Sequence, residues 1–106
     1  MSDWIDVGRV DEIPPGTHKV TEADGVMISV FNVDGNFYAI EDVCTHDGGI
    51  LTGGPISGCV ITCPRHGATF DIRSGEALSA PAYEPTASFP VRIQDGMVQT
   101  KDDRWD

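Results

Sequence analysis

Basic side chains are scarce in this chain: seven Lys and Arg stand against seventeen Asp and Glu, a formal net charge of −10 over 106 residues. Nucleic-acid binding draws most of its affinity from Lys and Arg that neutralise phosphates, so no nucleic-acid partner is expected. An acidic surface instead serves solubility, and it can steer the molecule towards a basic patch on a partner protein. Long apolar runs are also missing. None approaches the roughly 18 residues of a membrane span, and no charged-then-apolar segment opens the chain. The expected setting is therefore soluble and cytoplasmic, with no membrane partner. Cysteine is sparse and odd in number, with Cys44, Cys59 and Cys63 alone, which fits a reduced compartment better than a secreted disulfide framework. Helical periodicity is absent as well: no stretch of about twelve residues carries a clean apolar stripe, and Pro14-Pro15-Gly16 breaks the one weak candidate.

What the chain does have is alternation. Period-two patterning rich in Val, Ile and Phe predicts strands at Trp4 to Val7, Thr17 to Val20, Val26 to Val33, Phe37 to Glu41, Cys59 to Thr62, Thr69 to Ile72, Ser88 to Ile93 and Met97 to Lys101. Asp34-Gly35 and Asp95-Gly96 lie between such runs and supply the positive backbone angles of tight hairpins, and Ser74-Gly75 is expected to close a third. This is an all-β reading. At this length one domain, residues 1–106, is expected. Between about residues 43 and 85 Gly and Pro concentrate and the alternation thins. Such a segment buries little by itself, and a metal site would supply the missing order. The polar tail Asp102 to Asp106 is expected to fray.

Two short motifs fall inside that segment. VCTHDGG carries Cys44-x-His46, and sixteen residues later TCPRHGATF carries Cys63-x-x-His66. Each loop offers one thiolate and one imidazole, a donor set suited to zinc or to an iron–sulfur cluster. Zinc sites usually pair two cysteines in one motif and two histidines in the other, whereas each loop here mixes the types. Mixed pairs make sense around two metal ions, one iron taking both thiolates and the other both imidazoles with sulfides between, as in Rieske centres. If a metal holds Cys44 and Cys63, only Cys59 remains and no disulfide can form within the chain.

The motifs CTHDGG and CPRHG resemble those of the Rieske proteins, and the length is similar to that of the small Rieske ferredoxins of multicomponent aromatic-ring dioxygenases. The resemblance implies a Rieske fold, a small antiparallel β sandwich or barrel with an inserted cluster-binding subdomain at about 43–85. It implies one [2Fe-2S] cluster per chain, with Cys44 and Cys63 on the inner iron and His46 and His66 on the outer, solvent-facing iron. It further implies a monomeric one-electron carrier, not itself a catalyst. A ferredoxin reductase using NAD(P)H would supply the electron and a terminal oxygenase would receive it, docking near His46 and His66. A terminal oxygenase would need a further mononuclear iron site with two more histidines, and only His18 is left over.

The departures from the family pattern also carry information. Gly49 and Arg65 stand where the Rieske subunits of respiratory complexes hold an extra disulfide, and Ala68 and Phe70 stand where those relatives place a serine and a tyrosine hydroxyl on the cluster sulfurs. Fewer donors stabilise the reduced cluster less, which points to the low end of the roughly −150 to +300 mV Rieske span. Pro81, in SAPAYEP, resembles the family's proline loop that covers the cluster, with an ordinary loop proline as the alternative. Gly48, Gly49 and Gly67 serve either as turn residues or as places where backbone N–H groups approach sulfide. Arg65 is read as a solvated charge that would also sit on the docking face. His18 is read as an exposed strand residue and Cys59 as a buried small hydrophobe. Two other functions stay open from sequence: the small Rieske-like subunit of an NADH-dependent nitrite reductase, and a zinc-stabilised binding module.

Overall fold

The structure is a computed structural model that describes residues 3–45 and 48–104. It is all-β apart from a single 3-10 turn at Val10–Glu12, among the described residues. The strands are β1 (Ile5–Arg9), β2 (His18–Ala23), β3 (Val26–Val33), β4 (Asn36–Glu41), β5 (Ile56–Ser57), β6 (Val60–Thr62), β7 (Thr69–Asp71), β8 (Ser88–Phe89), β9 (Val91–Gln94) and β10 (Met97–Thr100). They form three antiparallel sheets, ordered β1-β10-β9, β2-β3-β4-β8 and β5-β6-β7.

The second sheet is the middle layer, and its sequence says why. In a strand successive side chains point to opposite faces. Along β4, Phe37 and Ala39 pack into one core with Val7, Ile13, Ile28, Val30, Phe89 and Val98, while Tyr38 and Ile40 pack into a second core with Phe31, Leu51, Ile61 and Phe70. Both faces are covered, so VMISVFNV and NFYAIE read as almost unbroken apolar runs rather than as apolar–polar alternation. The first core lies under the sheet of β1, β10 and β9. The second lies under β5 to β7, and it also contains Cys44 and Cys63.

The hairpins follow the turn chemistry. Asp34-Gly35 and Asp95-Gly96 adopt positive φ at both residues, 53° and 90° in the first pair and 52° and 78° in the second. The pair Asp24-Gly25, at 50° and 86°, joins β2 to β3 in the same way and was not among the expected turns. Ser74-Gly75 reverses the chain as expected: Gly75 N–H donates to the Asp71 carbonyl at 2.7 Å, and Phe70 bridges Ala77.

Two expectations need correction. The run Ser88 to Ile93 is two strands that join different sheets, broken at Pro90, whose ring cannot donate to a ladder. β5 was not expected, because two residues amid Gly and Pro carry no readable alternation. The tail has contacts of its own as far as Arg104, which bonds the Asp102 carboxylate at 2.7 Å and reaches Glu41 at 3.2 Å. Trp105 and Asp106 lie outside the described residues.

Candidate metal centre

The two cysteine loops leave the same core by different routes. The first follows β4, and the second is the connection between β6 and β7, whose ends Thr62 and Thr69 pair directly. Their backbones repeat one pattern. Cys44 N–H donates to the Gly49 carbonyl at 2.7 Å, and Gly48 N–H returns to the Cys44 carbonyl at 2.7 Å. Cys63 N–H donates to the Ala68 carbonyl at 2.7 Å, and Gly67 N–H returns to the Cys63 carbonyl at 3.1 Å. Each loop therefore runs from its cysteine to a glycine four positions on, and Gly48 and Gly67 have φ of 77° and 78°. A side chain would be strained at both positions. The repeated C-x-x-x-G spacing is visible in the sequence and is the signal that the two loops share a shape.

The thiols are buried and form no disulfide, Cys44 with no exposure and Cys63 with 1%. His66 stands exposed on the rim of the second loop, beside exposed Pro64, Arg65 and Gly67. His46, the remaining predicted ligand, lies outside the described residues. Among the described residues no three His, Cys, Asp or Glu side chains gather closely enough to hold a single metal ion. What the loops offer is two buried sulfur donors in one core and an exposed histidine three residues beyond the second of them. That fits a binuclear cluster with a thiolate end and an imidazole end.

Outer contacts hold the loops in place. The buried Asp42 carboxylate spans the base of the first loop to Leu51 and Thr52. Thr45 Oγ1 donates to the Glu84 carbonyl at 2.7 Å, and Thr69 and Ser79 share a 2.7 Å hydroxyl contact. These two contacts tie down both ends of the segment carrying Pro81, so the expected covering loop is fastened to each ligand loop's neighbourhood. Ala68 and Phe70 are fully buried and bring no hydroxyl. Near the second loop, the Arg73 guanidinium bonded to Asp71 holds that carboxyl below the usual carboxylate range.

His18 is exposed on β2, its ring 5.5 Å from Phe31, and takes no part in the site. Cys59 is only half-buried, a correction to the expected packed position: the chain turns at Gly58 just before it, so its side chain stays at the rim of the core.

Comparison with known proteins agrees with this geometry. A family model described as the Rieske [2Fe-2S] domain matches residues 3–90. The biphenyl dioxygenase ferredoxin subunit of Pseudomonas sp. (strain KKS102) is 40% identical over 86 residues, 80% of this chain and 79% of that protein. A ferredoxin component of the naphthalene 1,2-dioxygenase/salicylate 5-hydroxylase systems of Ralstonia sp is 33% identical over 93% of this chain and 95% of its own. Among solved structures, the Sphingomonas yanoikuyae B1 ferredoxin superposes with a TM-score of 0.86 at 32% identity, covering 94% of this chain and 99% of that one. A chain from the complex of reduced oxygenase and oxidized ferredoxin in carbazole 1,9a-dioxygenase gives 0.86 at 35% identity, covering 92% and 91%.

The fold and its likeness to solved ferredoxins define a small iron–sulfur electron-transfer protein. The chain belongs to the Rieske [2Fe-2S] domain family. Its cofactor is a Rieske-type [2Fe-2S] cluster, which removes the zinc reading, and its role is electron transfer rather than catalysis.

Proposed function

We propose that this chain carries single electrons from an NAD(P)H-dependent ferredoxin reductase to a terminal ring-hydroxylating oxygenase, with Cys44, His46, Cys63 and His66 as the cluster ligands. The observation that carries the ligand set is the matched pair of loops, each opening on a buried cysteine in the same core. The thiolates of Cys44 and Cys63 would hold one iron, and the imidazoles of His46 and His66 the other. When bound, the cluster takes up and releases one electron with little rearrangement.

The chain's own residues do the rest. The core of Phe31, Ile40, Leu51, Ile61, Phe70 and Ile72 keeps water from the sulfur side. Ala68 and Phe70 withhold the hydroxyl donors that would favour the reduced form, which argues for a low potential. The exposed rim of Pro64, Arg65 and His66 is the face offered to partners, and exposed Tyr83, at 84%, stands on the neighbouring covering loop. Docking there should be small and short-lived, below roughly 1,200 Å². A net charge of −10 favours partners with a basic face.

The whole chain, residues 1–106, is read as one Rieske domain whose cluster-binding subdomain spans about 43–85, the region that contains the sheet of β5 to β7. The protein is read as a cytoplasmic monomer. None of the described cysteines forms a disulfide, and no described helix is long and apolar enough to cross a membrane.

The test is replacement of His66 by alanine. The visible iron–sulfur spectrum should vanish while a β-rich far-UV spectrum survives, and a fully retained cluster spectrum would sink the ligand assignment. Reconstitution with a ferredoxin reductase and a ring-hydroxylating oxygenase should restore hydroxylation only when this protein is present.

A further inference from the structure

Asp42 is a carboxylate with 8% exposure, two residues before Cys44, and no metal role is assigned to it. Its backbone N–H is fixed to the Met27 carbonyl of β3 at 2.9 Å, so the residue is anchored to the middle sheet. Its side chain reaches across the mouth of the first loop. Oδ1 accepts the Leu51 N–H at 3.0 Å and the Thr52 N–H at 2.9 Å, and Oδ2 accepts the Thr52 hydroxyl at 2.7 Å. One side chain thus closes a ten-residue excursion that contains Cys44, His46, Gly48 and Gly49. Leu51, held by the first of these bonds, is fully buried in the core that contains Cys44 and Cys63.

We propose that Asp42 is the positioning residue of the first ligand loop and, as a buried anion beside it, a determinant that lowers the reduction potential. The inference rests on the reading of Cys44 and His46 as ligands. Positioning follows from the three accepted bonds: without them Leu51 and Thr52 lose their fixed places, and one buried and one half-buried N–H lose their acceptor. The electrostatic effect follows from proximity. Residues two apart in a chain have Cα atoms no more than about 7 Å from each other. Reduction adds one negative charge to the site, and a fixed negative charge at that range in a poorly solvated region opposes it.

Two substitutions separate the two roles. Asp42→Asn keeps an oxygen for both N–H groups and removes the charge. Asp42→Ala removes both. Iron and acid-labile sulfide would be measured per chain, and the midpoint potential taken by mediated dithionite titration, with Asp95→Asn at a distant hairpin tip as the charge control. Asp42→Asn should load as the parent does and show its midpoint shifted upward, while Asp95→Asn leaves it unmoved. Asp42→Ala should lose most of its iron and sulfide while the far-UV spectrum stays β-rich. An unshifted Asp42→Asn midpoint overturns the electrostatic role. An alanine variant that loads normally, or an asparagine variant that fails to load, overturns the positioning role. Failure of the ligand reading looks different, because Cys44→Ala would then keep the parent's full iron–sulfur spectrum whatever the Asp42 variants do.

Discussion

Gly54 offers a sharp test of how tightly the second ligand loop is held. Its N–H bonds the Leu51 carbonyl at 3.2 Å, and its own φ is not in the left-handed region, so backbone strain is not what demands glycine there. Space is. A Cβ would overlap the Thr62 carbonyl oxygen outright and would sit 3.0 Å from the Thr62 carbonyl carbon and 3.1 Å from Pro64 Cδ. The obstacle is backbone that cannot swing aside, since Thr62 N–H is bonded to Pro55 at 3.0 Å and Thr62 pairs with Thr69 on β7. Cys63 is the next residue. Overpacking a fixed site costs about 1–3 kcal/mol, and losing the Thr62–Pro55 bond adds about 1. Gly54→Ala should therefore cost about 3 kcal/mol, roughly a 100-fold change in the folding equilibrium. With a urea slope of about 1–3 kcal/mol per molar, the midpoint falls by about 1–3 M. Gly53 is the matched control: its φ is +100° with nothing within 4 Å of an added Cβ, so Gly53→Ala carries only conformational strain of about 1–2 kcal/mol. Far-UV urea titrations and iron content of the two variants decide the matter. Gly54→Ala should lose its cluster readily while Gly53→Ala retains it. Equal midpoints and equal iron would refute the claim that the Thr62 carbonyl is fixed.

Further outcomes follow from other contacts. Phe70→Ala empties a fully buried position in the core shared by both cysteines, and should cost about 3–5 kcal/mol and speed cluster loss, read by the decay of visible absorbance under chelator. Asp71 and Asp102 have carboxyls held below the usual range by hydrogen bonds from Arg73 and Arg104. Depressed carboxyls stabilise the fold above the unfolded value near pH 4, and that contribution disappears as the pH drops through the lower folded values. Asp71→Asn should therefore be less stable than the parent at neutral pH and lose less stability as the pH falls below about 4, read from urea midpoints across that range. Ser79→Ala removes the hydroxyl shared with Thr69, should cost about 1 kcal/mol, and should raise the rate of cluster loss by loosening one end of the Pro81 segment. Electron delivery to a basic-faced partner should slow as ionic strength rises, measured by stopped-flow at 0.01 and 0.5 M salt; a flat profile would remove steering from the account.

Much of the fold can be read in the sequence because the middle sheet and its hairpins obey local rules. Val26 to Val33 and Asn36 to Glu41 alternate between two cores, and Asp34-Gly35 and Asp95-Gly96 make the turns their chemistry predicts. Strand order and the split at Pro90 are not local, since they depend on which sheet each half of Ser88 to Gln94 joins. In the site, the cysteines and histidines stood out because their spacing is chemically unusual. The clasps did not. Asp42 acts on residues nine and ten positions away, and Thr45 meets Glu84 thirty-nine positions on, so neither leaves a pattern along the chain. Cys59, in the strand-like run CVITC, misled because alternation alone does not say where a core ends.

The pairing of β1 with β10 brings the first and last strands side by side on the sheet whose core excludes both cysteines. A permuted chain, with a short linker joining those strands and new termini opened at the Asp24-Gly25 turn, would preserve every contact of the ligand loops. An electrode tether or a fused protein attached through that linker would lie on the sheet of β1, β10 and β9, not on the exposed second loop.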